Sequence, residues 1–110
     1  MIEDRIENIE ARLKESAHIP EAKRAELLQL LAALKSEVSS LPSSHHEDAR
    51  NVAKFMEAST HEVTRTEKKP QEAEAALNGL TASVQAFEAS HPKLAETVNQ
   101  IAVALSNMGL

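Results

Sequence analysis

The stretch FEASHPKLAETVNQIAVALSNMGL, residues Phe87–Leu110, decides how this chain is read. Leu94, Val98, Ile101, Leu105 and Met108 recur at steps of four, three, four and three, which lines them up on one face of an α-helix. Pro92 suits the first position of that helix, where a missing N–H costs nothing, and Gly109 is a residue type favoured just past a helix end. No charged side chain follows Glu96. A helix that is apolar or neutral all round has no evident solvated face and is normally enclosed on more than one side. One small chain offers little to enclose it. The stripe Leu94, Val98, Ile101, Leu105 and Met108 is therefore predicted to be an interface, most simply a homodimer in which two C-terminal hairpins make a four-helix bundle.

The residues before this tail carry the same step. Ala73, Leu77, Leu80, Val84 and Phe87 predict a fourth helix opened by Pro70, and Gly79 within it is a weak point that lets a neighbouring helix come close. Ala49, Val52, Met56, Ser59 and Val63, with Phe55 beside them, predict a third and less apolar helix. Ser44 and Glu47 have the spacing of a capping box at its start. The three-four register runs on through Pro70, so one kinked helix over 44–89 competes with two; an interior proline costs about 3 kcal/mol, which favours two. Leu27, Leu31, Leu34, Val38 and Leu41 predict a second helix between Pro20, in its first turn, and Pro42. Ile2, Ile6, Ile9 and Leu13 predict a first helix over 2–17. No apolar segment alternates, so the expected fold is all-α: antiparallel helical hairpins in a bundle completed by oligomerisation. A single domain is expected, with an N-terminal hairpin over 1–41, a central helix and linker over 42–70, and a C-terminal hairpin over 71–110.

Composition agrees. At 42% hydrophobic and 26% charged, with Ala and Leu dominant, two Phe and no Trp or Tyr, the chain is globular and rich in helix formers but has limited means to build a thick core. Such a chain gains by association. A net charge of −5 opposes binding to nucleic acid or to an anionic membrane surface. The longest apolar run, Leu27–Leu34, is interrupted by Gln29 and is far short of a membrane span. An acidic start and the absence of cysteine favour a cytoplasmic location. Charge also divides the chain: from Ala75 onward only Glu88, Lys93 and Glu96 are charged. The C-terminal hairpin is the drier half.

The segment Ala86-Phe-Glu-Ala-Ser-His-Pro-Lys-Leu-Ala-Glu-Thr-Val, with the ending Ile101-Ala-Val-Ala-Leu-Ser-Asn-Met-Gly-Leu, resembles the C-terminal signature F-E-x-S-H-P-x-L of a family of small bacterial helical proteins classed as a domain of unknown function. Ile19-Pro-Glu-Ala-Lys-Arg-Ala-Glu-Leu-Leu-Gln-Leu-Leu resembles an earlier helix of that family. The likeness covers roughly 12–41 and 76–110, with 43–70 read as an insertion. It implies a helical hairpin protein and supplies no activity.

Few residues point to chemistry. Glu15/His18 and Glu88/His91 have the Glu-x-x-His spacing of di-iron bundles, which makes a metal- or ligand-binding bundle the alternative function. Both pairs, however, fall in the last turn before a proline, and the further inward carboxylates of such bundles are lacking, so the turn-forming reading is preferred. Ser90 is a candidate cap for the fifth helix. His45-His46-Glu47-Asp48 reads as a solvated helix start with acids placed against the dipole, and Lys68-Lys69 as a soluble linker. No Gly-rich loop or nucleophile turn is present. The expected function is a structural or protein-interaction module that acts through helical surfaces and self-association. It is expected not to be an enzyme and to need no catalytic residue, metal or cofactor; another protein partner is possible.

Overall fold

A computed structural model describes residues 2–16, 19–67 and 69–109, in five helices: α1 (Ile2–Glu15), α2 (Glu21–Ser39), α3 (His46–Val63), α4 (Pro70–Val84) and α5 (Pro92–Gly109). Single 3-10 turns occupy Ser43–His45 before α3 and Gln85–Phe87 after α4. No strand occurs among the described residues.

The helices alternate in direction. Arg5 pairs with Glu57 at 2.8 Å and Arg12 Nε donates to Thr64 Oγ1 at 2.7 Å. Both contacts join residues 52 apart, so α1 and α3 run parallel. Glu37 of α2 meets Thr97 of α5, while Leu30 lines a groove with Val103 and Ala104, so α2 and α5 run antiparallel. In space the order is α1, α2, α5, α4, α3 and back to α1, with α3 also touching α5 across the ring. The fifth helix thus closes the ring between α2 and α4.

Each predicted stripe is the buried stripe. Ile2, Ile6, Ile9 and Leu13 of α1, Leu27, Leu31, Leu34 and Val38 of α2, and Ala73, Leu77, Leu80 and Val84 of α4 all face the core. The third helix lies between α1 and α4. Small residues make this possible, because Ala49, Ala53, Ser59 and Thr60 let neighbouring helices approach. Its buried hydroxyls bring no unpaired donors with them: Ser59, Thr60 and Thr64 donate to the carbonyls of Phe55, Met56 and Thr60, four residues back.

Local signals fared unevenly. Pro70 opens α4 at its first turn and α3 ends at Val63, so the chain has two helices here and not one kinked through the proline. The Ser44/Glu47 capping box does not form. A 3-10 turn runs through Ser44 straight into α3, whose N-cap position falls on His45, and no side-chain cap bond is made. Pro20 stands at the N-cap of α2, outside the first turn, and Arg24 N bonds its carbonyl. Arg24 also closes the end of α1, donating from Nε to the Leu13 carbonyl at 3.0 Å and from Nη2 to the Ser16 carbonyl at 2.5 Å. Carbonyls of the last turn have no partner within the helix, so a cation reaching in from the next helix satisfies them.

Gly79 lies under the Phe55 ring of α3. A Cβ built there would stand 2.5 Å from Cδ1 and Cε1 of Phe55, so the α3 ring lies directly on the α4 backbone. Alanine is the better helix former by about 1 kcal/mol. The overlap is larger: Gly79→Ala is expected to cost about 1–2 kcal/mol net, because the ring must leave its packing position. A double-mutant cycle with Phe55→Ala, read by urea denaturation, should show a coupling of about 1 kcal/mol or more; additive effects would mean that the ring yields freely.

Candidate interaction surface

Seen from the sequence, α5 had no solvated face. In the fold it has one. Leu94, Val98, Ile101 and Leu105 are buried and Met108 is half-buried against the core, with Ala95, Thr97, Ala102 and Ala104 also inside. On the other side Glu96, Asn99, Gln100, Val103 and Asn107 face solvent. The stripe predicted as an interface is thus enclosed within the single chain by α2, α3 and α4. The chain supplies its own second hairpin, and α2 takes the place assigned to a second copy. With that stripe enclosed, self-association through α5 would use the outer face.

Val103 is 60% exposed, the one large hydrophobic residue so placed among the described residues. It forms a ridge between two depressions. On the α2 side a groove of ≈ 760 Å³ includes Leu30, Ala95 and Ala104, with Glu26, Glu88 and Glu96 among its lining. On the α4 side a smaller depression of ≈ 260 Å³ includes Leu77 and Thr81. A third groove, ≈ 750 Å³ between α1 and α3, mixes Arg5, Arg12 and Lys54 with Glu57 and Glu62, and the Arg5–Glu57 pair closes part of it. The volumes of the two larger grooves fall in the range of small-ligand sites.

The seam between α2 and α5 holds a carboxylate short of partners. Glu37 Oε2 accepts from Thr97 Oγ1 at 3.3 Å, but Thr97 has one hydroxyl proton and also lies 3.0 Å from the Lys93 carbonyl. Glu37 Oε1 is buried with no partner. On the opposite edge of α2, Lys35 Nζ bonds Glu7 Oε2 at 2.7 Å, and that bond holds the ammonium above the usual lysine range. This second pair is exposed and adds little to stability.

The histidines come together in part. His45 and His91 meet edge to face with ring centroids 4.9 Å apart, and each lies near Phe87, at 5.9 and 6.1 Å. Phe87 is fully buried, so the imidazoles cover the end of the core where the start of α3 meets the turn into α5. His91 Nδ1 lies 3.1 Å from Ser90 Oγ. His46 and Glu88 point to solvent. Glu15 is exposed and its partner His18 lies outside the described residues, as does Lys68. No group of three His, Asp or Glu that could hold one metal ion occurs among the described residues. No helix among them is long and apolar enough to cross a membrane.

The groove and ridge were missed in the sequence although one signal was there. Val103 is the only large aliphatic residue between Leu94 and Met108 that falls off the stripe, and a residue off the buried stripe of a tail helix faces outward. Leu30 lies beside the buried stripe of α2 and is only partly buried. Its proximity to Val103 depends on the pairing of α2 with α5, which no local pattern encodes.

A five-helix protein whose open features are surface grooves is, by class, a small all-α protein. The chain belongs to the family described as Domain of unknown function (DUF4404), whose model matches residues 27–110. The match spans 43–70, read above as an insertion, and leaves α1 and the start of α2 outside. No curated protein and no solved structure matches the chain.

Proposed function

We propose that this chain is a structural or protein-interaction module, not an enzyme, and that it acts through the outer face of α5. The observation that carries the reading is Val103: 60% exposed, on a helical face without charge beyond Glu96, and flanked by a depression on either side. Elsewhere among the described residues the large apolar side chains are buried or half-buried, so an exposed one between two grooves has the form of a knob and sockets for another helix. Interfaces are poor in charge at their centre, and Asn99, Gln100, Val103 and Asn107 meet that condition.

Photo-crosslinking tests this directly. A benzophenone side chain at position 103, introduced in the source cell, is expected to give a discrete covalent adduct. The same group at exposed Ala58 on α3 should give none. No adduct at 103, or equal adducts at both positions, would remove the proposal. In parallel, Val103→Glu should leave unfolding stability within about 0.5 kcal/mol of the parent, as for other surface changes. A large loss of stability would mean that Val103 belongs to the chain's own core.

A further inference from the structure

We infer that the α2–α5 groove takes a basic amphipathic helix of a different protein, a proposal that rests on the reading of the outer face of α5 as the interaction surface. The first ground is charge. Glu26, Glu88 and Glu96 line the groove and no Lys or Arg does. The Glu37 carboxylate lies in the seam between the same two helices, with one oxygen unpartnered. A partner with Lys or Arg flanking its contact face matches this potential.

The second ground is shape and what a second copy lacks. Leu30, Ala95, Val103 and Ala104 give the groove an apolar middle that an apolar stripe at i, i+3, i+4 and i+7 would fill. Among the described residues of this chain Val103 is the one exposed large hydrophobic. A second copy therefore brings a single apolar side chain to a groove of ≈ 760 Å³, together with a net charge of −5. It fits poorly on both counts.

The test uses the full chain and two fluorescently labelled helical peptides of the length of α5. One carries leucines on one face with lysines on both sides of them; the other has glutamates in place of the lysines. Anisotropy titrations should show saturable binding of the lysine peptide, at least tenfold tighter than the glutamate peptide. That binding should weaken with rising salt, as contacts between exposed charges do. It should also fall at least tenfold in Glu26→Gln/Glu88→Gln/Glu96→Gln and in Val103→Ser, both of which change only exposed side chains. Equal affinity for the two peptides, with both lost in Val103→Ser, would overturn the basic partner and keep the surface. Light scattering that shows a Val103-dependent dimer at high micromolar concentration would do the same, in favour of a second copy. Binding unaffected by Val103→Ser would overturn the surface itself.

Discussion

Ile101→Glu is expected to unfold the isolated chain. Ile101 is 1% exposed in the stripe of α5, among side chains of a helix that packs on α2, α3 and α4. A carboxylate there would have no cation or donor beside it in an apolar setting. Uncompensated burial of a charge costs about 3–5 kcal/mol, and domains of this size have about 5–15 kcal/mol in total. Circular dichroism at 222 nm should show a greatly lowered melting temperature or loss of the cooperative transition, while Asn99→Glu, on the exposed face, should melt like the parent. Light scattering on the same samples gives the other outcome its due. A variant that keeps its helix content and melting temperature but loses an oligomer present in the parent would place Ile101 between chains.

Phe87→Ala should be nearly as damaging, for a different reason. The ring is fully buried in the turn between α4 and α5 and is the largest side chain in the core. It also backs both imidazoles, so its removal leaves a void under His45 and His91. Phe-to-Ala changes in cores cost about 3–5 kcal/mol, part of it from the cavity left behind. At about 4 °C or more per kcal/mol for a domain of this length, the melting temperature should fall by at least about 12 °C. Phe87→Leu should recover most of the loss. His45→Ala, which uncovers the ring without removing it, should cost less than half as much as Phe87→Ala. If the two variants are equally destabilising, the imidazoles and not the ring hold that end of the bundle together.

Much of the fold is legible one helix at a time. The three-four step of Ile2, Ile6, Ile9 and Leu13, or of Leu77, Leu80 and Val84, depends on backbone geometry alone, and residues on one face of a helix must be buried together. Pro70 and Pro92 mark helix starts because their rings lock φ and remove a donor that a first turn does not need. The end of α3 was legible too, where the stripe gives way to Thr64 and the polar residues before Pro70. The capping box was not, since Ser44 could only cap if its own backbone stayed extended, and the 3-10 turn holds it otherwise.

The sequence by itself determined the striped helices, five or four if the third and fourth ran on through Pro70, where they begin and end to within a few residues, and which face of each is buried. Only the tertiary structure decided against what those faces are buried. The stripe Leu94, Val98, Ile101 and Leu105 has the same spacing whether α2 of the same chain or a hairpin of another covers it, because apolar contact is non-directional and carries no label for its partner. In the structure α5 closes the ring between α2 and α4 and the stripe is covered within one chain. The same closure brings Glu26 and Leu30 of α2 beside Glu96 and Val103 of α5. Residues some 70 positions apart become one groove only when two helices pair, and periodicity along a single helix has no term for that.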